Sequence, residues 1–267
     1  MPPADPPEAH SIADKLHSAV RSAFESPDWY FNKLNYRVLL RKRVVGQLTA
    51  NISFARFLDI GCGDGSISLP LLQPTRHLTL QDLSEAMLQR ARTLIAPEFK
   101  DNVDTIIGDF LQCDFSGRTF DLVICLGVLS YVEKLDAFLA KAASLLAPGG
   151  HLIIECTDGA HFISKILTAY SATTARLRKR TVSIGLQAHA SADVLSGCQR
   201  LGLVLRDSYR YSPPPPLLRQ LFTQRFHCNV NRFLHGGTTN RLGCLGTECI
   251  FHFEKRISTG SGRLQES

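Results

Sequence analysis

From residue 57 to residue 157 the chain alternates short apolar runs with amphipathic stretches, the pattern of an α/β domain. Leu58-Asp59-Ile60, His77 to Gln81, Val103 to Gly108, Thr119 to Cys125 and His151 to Cys156 read as five successive strands. A helical pattern begins after Asp82, and a second helix is expected at about 133 to 146, closed by a turn at Ala147-Pro148-Gly149-Gly150. Downstream, Ser191 to Arg200 looks helical, Gly202 to Tyr209 looks like a sixth strand, and Thr247 to Phe253 looks like a seventh. Upstream, an aromatic segment from Asp28 to Arg37 leads into a helical run reaching about Ala50.

The first strand runs into Gly61-Cys62-Gly63-Asp64-Gly65, where glycine at alternate positions admits backbone conformations closed to other residues and lets a ligand lie against the main chain. A helix is expected to follow directly. The spacing differs from the Gly-x-Gly-x-x-Gly turn that cradles a pyrophosphate, so the ligand need not carry phosphate. The second strand ends in Asp82, placed to accept hydrogen bonds from ribose hydroxyls, or simply to open a helix capped by Ser84. Asp109-Phe110 ends the third strand, where an acid and an aromatic ring could serve an exocyclic amine and a purine, or could be a turn acid and a core ring.

Taken together, residues 57 to 157 resemble the class I S-adenosylmethionine-dependent methyltransferases of small-molecule type. The resemblance rests on the glycine loop, Asp82, Gly108-Asp109-Phe110, Phe120-Asp121-Leu122-Val123 and the turn Leu146-Ala147-Pro148-Gly149-Gly150, in that order. It implies a three-layer, Rossmann-like, seven-stranded and mostly parallel sheet with helices on both faces and substrate-capping inserts. It also implies S-adenosyl-L-methionine as cofactor. Asp59, Gly61, Cys62, Gly63 and Gly65 would then meet its methionine part, Asp82 its ribose, Leu83 and Met87 the two sides of its adenine, and Asp109 with Phe110 the adenine amine. Cys125 and Leu126 would stand beside the sulfonium, and Tyr30 in the N-terminal cap would close the mouth. Methyl transfer to an O, N or C atom of a small acceptor follows as the expected reaction.

The chain has 267 residues, of which 44% are hydrophobic, enough for one core. The expected layout is a tail at 1–15, one domain at 16–256 and a second tail at 257–267. Within that domain, 16–55 would form cap helices, 56–157 the cofactor core, and 158–187 and 210–243 the inserts. No apolar run is long enough for a transmembrane helix, the start does not read as a signal peptide, and the eight cysteines form no Cys-x-x-Cys pair, so a reducing cytoplasmic setting is expected.

Net charge is +6, but residues 159 to 247 alone carry +10, with twelve basic side chains against Asp193 and Asp207. This favours an anionic or amphipathic acceptor. Leu218, Phe222, Phe226, Val230 and Phe233 recur at helical spacing, as a lid packed on the core or as a face for peripheral membrane contact. Nucleic acid is not the expected partner. An RNA or protein methyltransferase, or a fold relative catalysing another reaction, are the alternatives.

If the acceptor must lose a proton, a general base is needed. Tyr131, after the fourth strand, and His189, before the helix leading to the sixth, stand ahead of His161, His227 and His235 for that task. Glu133, Glu155 and Asp158 match no metal-binding spacing, so no metal is expected.

Overall fold

The computed structural model describes residues 27–115, 117–162, 164, 187, 189–212 and 246–257, with side chains from Arg37 onward. Helix α1 (Pro27–Thr49) leads to strand β1 (Arg56–Ile60). Then follow β2 (His77–Asp82), α2 (Glu85–Leu94), β3 (Val103–Ile107), β4 (Phe120–Cys125), α3 (Leu135–Ser144), β5 (Leu146–Thr157), α4 (Ser191–Arg200), β6 (Leu203–Tyr211) and β7 (Glu248–Lys255). The strands form one seven-stranded sheet in the order β3-β2-β1-β4-β5-β7-β6. Pairs β1–β2, β1–β4, β2–β3 and β4–β5 are parallel, while β7 runs antiparallel to both β5 and β6.

Side chains alternate across this sheet, and both faces are buried. Leu58, Ile60, Val123, Cys125, Leu152 and Ile154 face one cluster, sealed by Phe138, Leu139 and Ala142 of α3 and by Val194 and Cys198 of α4. Phe57, Leu122, Ile124 and Ile153 face the other, sealed by Leu40, Val44 and Val45 of α1 and by Leu88 and Ala91 of α2. The expected α/β sheet with helices on both faces is therefore the one observed. Strand order reverses between β1 and β4, so the loops leaving their carboxyl ends diverge there and leave a crevice.

Four expectations about elements change. Only a 3-10 turn at Leu69–Leu71 follows the glycine loop, where a helix is expected. Pro70 disfavours helical backbone at Leu69 and lacks a donor, and Pro74 blocks continuation. Ala147 to Gly150, expected as a turn, lies inside β5 as a bulge: Leu146 pairs with Phe120 and His151 with Leu122, so four residues stand opposite Asp121 alone. Gly149 at φ 76° makes that excursion possible. Helix α3 is shorter than 133 to 146, and β6 runs on to Tyr211, so Arg210 belongs to the sheet and not to an insert.

Candidate active site at the β1–β4 crevice

Gly61, Gly63 and Gly65 all take positive φ, at 65°, 56° and 72°, conformations that strain any side chain. Gly61 also lies against the loop after β4, where an added Cβ would clash with Val128 Cγ2. At Gly63 an added Cβ would meet nothing within 4 Å, so the backbone there borders open space. The loop is held from below. Cys62 N–H donates to Gln81 O at 3.0 Å, and buried Asp64 accepts from Ser66 N–H at 3.0 Å while pairing with Arg90 of α2 at 3.6 Å.

Asp82 ties this loop to β2. Its Oδ2 accepts from Gly63 N–H at 2.8 Å and its Oδ1 from Ser84 N–H at 2.9 Å. Ser84 does cap α2, accepting from Met87 N–H at 3.3 Å, and each Asp82 oxygen keeps a lone pair that a diol could use. Burial raises the Asp82 carboxyl above its ordinary pKa, against the pull of these backbone donors.

Asp59 is buried in β1, and its Oδ2 has no hydrogen-bond partner among the described residues. Burial pushes its carboxyl up to about 7; the nearby Ser68 hydroxyl opposes this, and the charges of Asp82 and Asp64 add to it. A buried, unpartnered carboxyl oxygen beneath a glycine loop asks for a cation.

At the end of β3, Gly108 N–H donates to Asp82 O at 3.0 Å and Gln81 Nε2 donates to Gly108 O at 2.6 Å, so Asp109 is fixed relative to Asp82. Asp109 Oδ1 accepts from Leu111 N–H at 3.0 Å. The Phe110 ring is 5% exposed and packs 4.8 Å from Phe138 and 5.8 Å from Phe115, so it is spent on the core; what it could offer a ligand is its backbone. Met87 is buried and Leu83 half-buried beside Asp82. Cys62, Cys125 and Leu126 are buried, and burial drives both thiols well above their ordinary pKa. Their side chains pack in the core, so what Cys62, Cys125 and Leu126 could offer a ligand is their backbone.

Sequence reasoning missed a polar network on the β4–β5–β6–β7 side. Arg41 of α1, 4% exposed, ion-pairs with Glu155 of β5 and donates from Nε to its Oε1 at 3.1 Å. Tyr211 also donates to Glu155, and Arg37 pairs with Glu248 at 3.2 Å, whose other oxygen accepts from Thr157 at 2.7 Å. The Arg41 guanidinium reaches the end of β4, where a Cβ on Gly127 would come within 2.8 Å of it. One signal was present in the chain: Arg41 interrupts an apolar stripe of Leu40, Val44 and Val45, a place where an unpaired charge is not tolerated.

Tyr131 and His189 are brought to one loop cluster. Gln187 N–H donates to Ser130 O at 2.8 Å, and His189 Nε2 lies 2.8 Å from Val132 O. A carbonyl only accepts, so Nε2 carries the proton and Nδ1 is the basic atom of the neutral ring. His189 borders an open groove of about 520 Å³ with Glu133, Asp136, Asp193 and Arg200. Tyr131 closes the 3-10 turn Leu129–Tyr131. The side chains of Trp29, Tyr30 and Tyr36, together with His227, His235 and the basic lid segment 213–245, lie outside the described residues. Among the described residues no group of three or more His, Cys, Asp or Glu side chains could hold a metal.

Residues 57–150 match a family model described as a methyltransferase domain. The chain is 32% identical over 124 residues to malonyl-(acyl-carrier protein) O-methyltransferase of Haemophilus ducreyi, covering 43% of this chain and 46% of that protein. It is 28% identical over 127 residues to ubiquinone biosynthesis O-methyltransferase of Rickettsia conorii, covering 46% and 43%. The chain thus spans about half the length of the curated relatives it matches. Magnesium protoporphyrin IX methyltransferase of Synechocystis PCC 6803, solved with bound S-adenosylhomocysteine, superposes with a TM-score of 0.60 at 19% identity, covering 90% of this chain and 99% of that one, a likeness of fold. Residues 57–150 thus match a methyltransferase domain, and the sheet that carries them shares the fold of the Synechocystis enzyme.

Proposed function

We propose that this protein is an S-adenosylmethionine-dependent methyltransferase acting on a small-molecule acceptor. The observation that carries the reading is the Gly63 N–H to Asp82 Oδ2 bond, which couples an open glycine backbone to a strand-end carboxylate inside a domain of matching family. The residues present fit the cofactor. Gly61, Gly63 and Gly65 give backbone access, the unpartnered Asp59 oxygen suits an ammonium, Asp82 suits a ribose diol, and Asp109 suits an adenine amine.

When bound, the cofactor supplies an electrophilic methyl on a sulfonium. The chain then has to hold the acceptor in line with that methyl and keep water out, and positioning alone can lower a barrier by several kcal/mol. Both relatives named above are O-methyltransferases, which supports an oxygen acceptor on a biosynthetic intermediate. Where that oxygen belongs to a hydroxyl or phenol it must lose its proton, and His189 Nδ1, with Nε2 fixed on Val132 O, is the group we assign to take it; a carboxylate acceptor is already ionised and needs no base.

Titration calorimetry with S-adenosylhomocysteine tests the cofactor site; absence of heat with folded protein would end the proposal. A screen of hydroxylated and carboxylated intermediates, read by product mass and release of S-adenosylhomocysteine, tests the reaction. If the substrate found is methylated on a hydroxyl, His189→Gln is expected to lower kcat by roughly 100-fold while leaving S-adenosylhomocysteine affinity unchanged. An unaltered kcat would remove His189 from the chemistry.

A further inference from the structure

Lys141 stands in the last turn of α3, on the far side of the sheet from α1, and its ammonium leaves that helix to meet the loop after β3. Its Nζ donates to Leu111 O at 3.0 Å and to Cys113 O at 2.6 Å. The same nitrogen sits 5.4 Å from the Phe110 ring centroid and 5.5 Å from that of Phe115, two rings that themselves pack together. A half-buried lysine is thus held by two carbonyls and flanked by two aromatic rings, an arrangement that fixes the loop more firmly than either contact alone.

The loop needs such an anchor because of where it lies. It leaves β3, an edge strand of the sheet, and its entry is fixed by Gly108 against β2. From there the backbone closes on itself: Asp109 O accepts from Gln112 N–H and Cys113 N–H, both at 2.9 Å, and Asp109 Oδ1 accepts from Leu111 N–H. One tight turn therefore carries Asp109 at its start and the two lysine-bound carbonyls at its end. Gly108, at φ 137°, allows the entry, and Cys113 Sγ lies 3.3 Å from the site of its missing Cβ, so the turn folds back close over its own start. Shifting the carbonyls at 111 and 113 moves the Leu111 amide, and that amide orients the Asp109 carboxylate.

We infer that Lys141 is a positioning residue for recognition of the adenine amine, acting through the 109–113 turn on the Asp109 carboxylate. The inference rests on the cofactor reading given above and adds a residue that touches no ligand itself. Lys141 instead converts the rigidity of α3 into the orientation of a carboxylate on an otherwise one-sided edge of the sheet.

The test compares S-adenosylhomocysteine with its 6-oxo analogue, S-inosylhomocysteine, in wild type, Lys141→Met and Lys141→Arg, by calorimetry. A hydrogen bond from the amine to a well-aimed carboxylate should make wild type prefer the adenosyl ligand by roughly tenfold or more. Lys141→Met is expected to lose most of that preference by weakening only the adenosyl ligand, and Lys141→Arg to restore part of it. Amide exchange of residues 109–113 in the unliganded protein should quicken by roughly tenfold or more in Lys141→Met.

An unchanged ligand ratio in folded Lys141→Met would overturn the inference. So would failure of both variants to fold, which would make Lys141 an ordinary packing residue. If wild type binds neither ligand, the cofactor reading falls instead, and the exchange measurement alone decides whether Lys141 anchors the turn.

Discussion

Asp59 shows how a single side chain can be poorly placed for stability and well placed for a ligand. Its carboxyl is raised to about 7 by burial, whereas in an unfolded chain it would ionise at its ordinary value of 3.8. Between those values the folded protein holds a proton that the unfolded chain has lost, so this group's contribution to stability falls as pH rises from 3.8 through 7. Asp59→Asn removes that liability. The substitution is expected to stabilise the unliganded protein at pH 8 by roughly 2 kcal/mol in urea titration and to weaken S-adenosylhomocysteine binding by at least roughly tenfold in calorimetry. An Asn variant that is destabilised yet binds normally would show that Asp59 is ionised and satisfied from within the fold. The opposite type of residue is Phe110, which the chain pattern offers for a purine and which the core takes instead, through Phe115 and Phe138.

At the scale of elements, α1 is attached to the sheet by charges as well as by apolar packing. Leu40, Val44 and Val45 seal one face, while Arg37 and Arg41, one helical turn apart, reach Glu248 on β7 and Glu155 on β5. Removing one partner of a pair this deeply buried leaves an uncompensated charge, typically costing about 3–5 kcal/mol. Arg41→Met is therefore expected to lower stability by that order in denaturant titration. The double variant Arg41→Met with Glu155→Gln should recover much of the loss, because no charge is then stranded and Tyr211 can still donate to the amide oxygen that replaces the carboxylate. Equal instability of single and double variants would show that the guanidinium contributes packing rather than charge.

At the scale of the whole molecule, the antiparallel side of the sheet carries an acid-sensitive point remote from the crevice. His252 of β7 and His151 of β5 share a ring-nitrogen contact of 3.1 Å. Burial first and His151 second lower the His252 pKa to about 4, and burial lowers that of His151. An unfolded chain takes up this proton near 6.5, so the stability His252 contributes is complete above that pH and is lost as pH falls from 6.5 through 4. His252→Gln is expected to flatten the fall in Tm over that window; an acid limb as steep as in wild type would show that other groups govern acid unfolding. Asp59 titrates in the same range with the opposite sign, so the comparison is best made in the Asp59→Asn background.

The chain by itself determined the seven strands, the helices α1 to α4 and the residues at strand ends, but not the loss of the helix after the glycine loop or the bulge inside β5. Buried strands must be apolar runs, glycines with positive φ cannot be replaced cheaply, and acids at strand ends have few structural reasons to recur, so all three are visible locally. Ser191 to Arg200 is a helix with the bounds its pattern gives, for the same reason. Local pattern carried no information about partners distant in sequence. That Arg41 meets Glu155, that Lys141 reaches the turn after β3, and that Gln187 and His189 meet Ser130 and Val132 depend on which strands become neighbours. Only the order β3-β2-β1-β4-β5-β7-β6, set by crossovers and by burial of both faces, brings those groups together. The tertiary structure alone decides that Arg41 and Glu155 are paired while Asp59 Oδ2 is without a hydrogen-bond partner among the described residues.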